Sequence, residues 1–189
     1  SGSGLSITSW KPIHGSIPPT NEAQWQEEFE AYKDSPQYKQ VNSDMTLEGF
    51  KTIFWPEFIH RLLGRIIGIV FFLPLIYFTL RGSISKNLFW KLFAILALGG
   101  LQGAIGWIMV KSGLTGVFVP PVHLSIHLIL ALSLFAYLVY MTLSVYRGNN
   151  QWVVSANLKP LKTLSVIILL VLFLQIFLGG IVSGMKAGL

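Results

Sequence analysis

The chain has 189 residues, 52% of them hydrophobic and only 12% charged, with a mean hydropathy of +0.60; this composition belongs to a polytopic membrane protein rather than a soluble enzyme. No cysteine is present, which excludes disulfides, cysteine-ligated zinc and iron–sulfur clusters. All eight acids lie in residues 1–57 beside four lysines, and residues 58–189 carry ten basic residues and no acid, so the basic balance belongs to membrane-flanking Lys and Arg and no nucleic-acid-binding face is expected.

The chain opens Ser-Gly-Ser-Gly without a methionine or a signal-peptide pattern, as expected of a processed product or a fragment. Residues 1–57 read as an acidic loop. The stretch "NEAQWQEEFEAYKD" forms a short surface helix within it, and Pro18-Pro19 and "SDMTLEGF" mark turns or helix starts. Four uncharged runs follow: 66–80, 92–110, 112–146 and 163–185. A spanning helix needs roughly 20 apolar residues, so the second and fourth runs suffice. Pro120-Pro121 starts the third helix, leaving 122–146 as the span. The first run has 15 residues and must borrow 58–65 to cross, which puts His60, Arg61 and Arg65 inside the helix, with Pro74 as a candidate kink. The expected fold is an all-α polytopic transmembrane helical bundle with spans at 58–80, 92–110, 122–146 and 163–185. Arg81, Lys86, Lys91, Arg147, Lys159 and Lys162 flank two loops, against Lys111 alone in the other. The positive-inside rule then sets residues 1–57 on the extracytoplasmic side. "LQGAIGWIMVKSGL" (101–114) and "LQIFLGGIVSGMKAGL" (174–189) echo each other, as internal repeats do in membrane folds.

Four histidines are present. His14 reads as a surface residue. His60 lies about 30 Å from the inner end of its helix and His127 about 28 Å from the end of a helix running the same way. Two imidazoles at matched depth on parallel helices suit bis-imidazole ligation of a haem between them. Gly64 and Gly68 continue the face of His60 at i+4 and i+8 and would let a flat macrocycle lie against it. Gly99, Gly100, Gly103 and Gly106 serve close helix packing or make room for the ring. Arg61 and Arg65 would meet haem propionates, and Glu57 can pair with Arg61 at i,i+4. Bland readings stay open: His60 and Arg61 as residues snorkelling at a helix end, and His123 and His127 as packing or proton-relay residues. The i,i+4 pair His123/His127 lacks a third ligand for zinc.

The stretches "GSGLSITSW", "DMTLEGFK", "EFIHRLLGRIIG", "LQGAIGWIMVKSGL" and "HLSIHLILAL" resemble the haem A synthase family, membrane enzymes of cytochrome oxidase assembly, over nearly the whole chain. The resemblance implies eight transmembrane helices in two similar halves, with this chain beginning after the first helix and ending after the fifth. It implies oxidation of a methyl group of haem O to a formyl group, giving haem A. The substrate haem would sit in this half and a haem b cofactor in the other. It further implies Glu57 as the catalytic glutamate, and His60 and His127 as ligands of the haem iron. His123 stands where relatives often have a basic residue, so a propionate contact is implied for it. The expected location is the bacterial plasma membrane or the mitochondrial inner membrane. Expected partners are haem O, membrane lipid, an unidentified electron donor, haem O synthase and a second copy of the chain. Two alternatives stand beside this reading: a b-type haem electron carrier that oxidises quinol, and a non-enzymatic haem-binding assembly module.

Overall fold

A computed structural model describes residues 5–8, 17–148 and 158–187. His14 and the middle of the 147–162 connection lie outside them. The described residues fold into six α-helices: α1 (Glu22–Lys33), α2 (Pro36–Val41), α3 (Leu47–Leu80), α4 (Lys86–Leu114), α5 (Pro121–Arg147) and α6 (Lys159–Gly184). The chain divides into two compact units, residues 1–120 and 121–189. Helices α3, α4, α5 and α6 are each long and apolar enough to cross a membrane, and the fold is an all-α, multi-pass membrane architecture.

Helix starts follow local chemistry. The Asn21 side chain accepts from the Gln24 amide at the head of α1. Ser35 does the same for Tyr38 at the head of α2, with Pro36 at the first position. Thr46 caps α3 through the Gly49 amide, and Ser85 caps α4 through the Leu88 amide. Each cap satisfies one of the amides that a helix start leaves without an intrahelical partner. Pro121 opens α5, where its fixed φ and missing N–H suit a helix start. At the other end of α3, the Ser83 amide returns to the Phe78 carbonyl and the Gly82 amide to that of Thr79. This Schellman closure places Gly82 at φ +65, a conformation glycine adopts without a Cβ penalty.

Helix α3 begins at Leu47, well ahead of the span drawn from the sequence at 58. Its 34 residues reach about 51 Å, against a hydrocarbon core of about 30 Å. The surplus turns are held by an aromatic cluster. Trp25, Phe29 and Tyr32 recur on one face of α1 and meet Phe50, Phe54 and Phe58 of α3, with Ile7 completing the core. Trp25 meets Phe54 edge-on at 5.0 Å between centroids, and Phe54 stacks on Phe58 at 5.9 Å. The Tyr32 hydroxyl, fully buried, donates to Gln37 Oε1 at 3.1 Å and accepts from Asn42 Nδ2 at 2.7 Å, which fixes α2 against α1. The helix read from the sequence as lying on the surface thus buries its aromatic face and exposes Glu22, Glu27 and Glu30.

In the second unit α5 and α6 pack closely at two glycines. A Cβ on Gly180 would fall 2.6 Å from Ser125 Oγ, and one on Gly184 would fall 2.7 Å from Pro121 Cα. Small residues there let the two backbones approach.

Candidate functional site

Phe50, Phe54, Glu57 and Arg61 follow one another down one face of α3, at the spacing that keeps side chains in register on a helix. The aromatic cluster ends where the carboxylate begins, and Glu57 is 7% exposed. A buried carboxylate is costly unless it is paired and hydrogen-bonded, and Glu57 has both. Its Oε2 accepts from the Ser6 amide at 2.8 Å, the Ser6 hydroxyl at 2.6 Å and the Ile7 amide at 3.3 Å. Its Oε1 accepts from Arg61 Nη2 at 2.5 Å. The same Arg61 nitrogen donates to the Ile7 carbonyl at 3.2 Å. The Ser6 hydroxyl also lies 3.2 Å from the Ile53 carbonyl. Its single hydrogen can serve one acceptor at a time, and the charge-assisted, shorter contact to Glu57 is the stronger.

The sequence placed Glu57 and Arg61 four residues apart as an ion pair, and the structure joins them. It adds Ser6 and Ile7, which sequence reasoning did not single out. The available signal was chemical. A glutamate inside an apolar helix needs donors, and a serine flanked by apolar residues in "GSGLSITSW" is a ready source. What spacing cannot show is a contact across 51 residues.

The remaining candidates fall on α3, α4 and α5. His60 is on α3, one turn past Glu57, with an exposed side chain. Arg65, half-buried, lies one turn past Arg61. A Cβ built on Gly64 or Gly68 would meet nothing within 4 Å, and the same holds for Gly99, Gly100 and Gly103 on α4. Close packing therefore does not account for these five glycines among the described residues. His123 and His127 are half-buried, one turn apart on α5, and so belong to the other unit.

Around the site, burial foremost raises the Tyr32 hydroxyl above its ordinary pKa of 10.0. The Asn42 amide works against that shift, and the negative charge of Glu57 adds to it.

These features define a class: an integral membrane protein with a polar, hydrogen-bonded carboxylate–guanidinium pair at one end of a transmembrane helix, next to an exposed histidine. The chain belongs to the cytochrome oxidase assembly protein family COX15-CtaA, whose profile matches residues 1–189. It is 50% identical over 189 residues to a protein of Rhodopseudomonas palustris named heme A synthase, covering 98% of this chain and 51% of that relative. Proteins of the same name from Caulobacter vibrioides and Mesorhizobium japonicum are 48% and 50% identical. These matches cover 98% and 99% of this chain and 54% and 51% of the relatives. The chain thus spans about half the length of the curated relatives it matches. No solved structure matches it.

Proposed function

We propose that this chain forms the substrate half of a haem A synthase, in which a methyl group of haem O is oxidised to the formyl group of haem A for cytochrome oxidase. The observation that carries this reading is the near-complete coverage of the chain at about half identity by proteins named heme A synthase. The arrangement of α3 fits the substrate. His60 presents an exposed imidazole, and Gly64 and Gly68, one and two turns on, leave open space where side chains would stand. That is a flat lane along which a macrocycle can lie. His60 and His127 are proposed as the iron ligands, on the depth count from the sequence. His123 and Arg65 are proposed to meet propionates. Arg61 already has an anion in Glu57, so any propionate contact would be an additional one. A cofactor haem b is assigned by the same reading to the half of the relatives that this chain does not cover.

Methyl-to-formyl conversion breaks C–H bonds, takes up one oxygen atom and passes its electrons to an acceptor outside this chain, and Glu57 is the residue proposed to take one of the protons released. Its Oε2 is engaged by three donors, whereas among the described residues Oε1 accepts only from Arg61. Oε1 therefore has a lone pair left, and it is the atom proposed to receive the proton. Arg61 orients the carboxylate and balances its charge. The aromatic cluster behind Glu57 keeps bulk water from that side.

Residues 1–57 are proposed to face the extracytoplasmic side of a bacterial plasma membrane, on the distribution of Lys and Arg. The proposed partners are haem O, lipid, an electron donor, haem O synthase and a second copy of the chain.

A Glu57→Ala variant of the whole protein tests the reading. Haem extracted from membranes is separated by chromatography, and the bound-haem spectrum is recorded alongside. The expected result is an intact spectrum with haem A formation reduced by at least about a hundredfold, within the range for loss of a general base. Normal haem A would sink the reading and leave an electron carrier or a haem-binding assembly module.

A further inference from the structure

Glu57 is held by a segment far from it in sequence, and the way that segment is anchored shows what it does. Leu5 is 1% exposed. Its side chain fills the space beside Gly113 at the end of α4, where a Cβ would come within 2.6 Å of Leu5 Cδ2. Ile7 is buried in the aromatic cluster of α1 and α3. Ser6, between them, is fully buried. Its two neighbours are thus fixed to different elements, one at the end of α4 and one in the aromatic core. The short strap cannot turn about its own axis without losing one of these contacts. That gives the Ser6 and Ile7 amides and the Ser6 hydroxyl fixed directions, and all three end on one oxygen of Glu57. The Ile7 carbonyl takes Arg61 as well, so the strap orders both members of the ion pair.

We propose that Ser6 is the positioning residue for Glu57: its amide and hydroxyl hold Oε2 so that Oε1, which among the described residues accepts from Arg61 alone, is the oxygen presented for proton transfer. A glutamate has three side-chain torsions. With Arg61 as its sole partner it could exchange its two oxygens by rotation, and no single atom would face the substrate. Donors on Oε2 remove that freedom. They act in the ground state, as positioning requires. The proposal rests on the reading of Glu57 as the proton acceptor.

The test uses the whole protein with Ser6→Ala and Ser6→Thr, beside Glu57→Ala. Three readouts are taken: the rate of haem A formation at saturating and limiting haem O, the thermal midpoint in detergent, and the infrared carboxylate bands of protein labelled with ¹³C-glutamate. Subtracting Glu57→Ala isolates the Glu57 band. Ser6→Ala is expected to lower kcat about tenfold, the factor that loss of one charge-assisted hydrogen bond gives. KM and the bound-haem spectrum should be unchanged, and the Glu57 band should shift. Ser6→Thr, which keeps a hydroxyl, should restore both rate and band. A purely structural role would instead lower the thermal midpoint and leave the band in place. Should Ser6→Ala keep the wild-type rate while Glu57→Ala is inactive, or should the Glu57 band stay where it was, the proposal is overturned. Should Glu57→Ala itself make haem A normally, the functional reading fails. The band alone then decides whether Ser6 holds the carboxylate.

Discussion

The two halves of α3 are covered in opposite ways. Down to Arg61 the helix carries Phe50, Phe54, Glu57 and Phe58, all buried by α1 and the 5–8 strap. Below Arg61 it carries Ile67, Val70 and Leu73, all exposed, and Gly64 and Gly68 with open space beside them. The upper half has more polar surroundings, and its stability must come from protein contacts: aromatic burial and charge-assisted hydrogen bonds. The lower half is built for a hydrocarbon solvent, in which apolar side chains need no protein cover. The proposed haem site falls at the junction, where a rigid polar end meets a lane with room in it. The glycines repeat the contrast. Gly180 and Gly184 are small because backbones meet there, whereas no described residue lies within 4 Å of a Cβ built on Gly64 or Gly68.

The contrast can be broken most sharply in the aromatic cluster. Phe50 is 0% exposed, so Phe50→Ala should cost roughly 3–5 kcal/mol, the usual loss for a buried aromatic. Thermal unfolding in detergent should show the loss, together with earlier proteolysis in residues 17–46. The lower half should tolerate Ile67→Ala with no comparable change. A smaller effect is expected where glycine permits close packing. Gly180→Ala should cost about 1–3 kcal/mol, as overpacking does, because Ser125 Cα as well as its side chain lies against the new Cβ. Gly64→Ala and Gly68→Ala should leave the thermal midpoint unchanged and lower the haem content. Equal destabilisation by all three alanines would erase the distinction between packed and open glycines.

The smallest effect is on pH dependence. Tyr32 is raised above its ordinary pKa, chiefly by burial, so the folded state keeps its proton where the unfolded chain has lost it. The stabilisation is complete below about pH 10 and is lost as pH rises through the folded value, because the folded state then binds more protons than the unfolded one. Unfolding midpoints measured from pH 8 to 11 should fall above about pH 10. The fall should be shallower in Tyr32→Phe, which does not titrate.

The spans were readable because an uncharged run long enough to cross the hydrocarbon core is seldom anything but a membrane helix. The start of α3 was not, because the acids of residues 22–57 mark where membrane ends and say nothing about where a helix ends. Thr46 as a cap and the spacing of Phe50, Phe54 and Phe58 carry that information instead. The Glu57–Arg61 pair could be read because a helix brings i and i+4 together. Ser6 could not, since a contact made by tertiary folding leaves no period in the sequence. Glycines in apolar runs look alike in one dimension, and their neighbours in space alone separate Gly180 from Gly64.

The proposed haem chemistry depends most on His60 and His127 as ligands of one iron. Electron paramagnetic resonance and near-infrared magnetic circular dichroism of the purified whole protein test this directly, with His60→Ala, His127→Ala and His123→Ala compared at equal protein. The first two should each remove one low-spin bis-imidazole haem per chain, and His123→Ala should keep it. Wild-type bis-imidazole signal in either His60→Ala or His127→Ala would contradict the assignment.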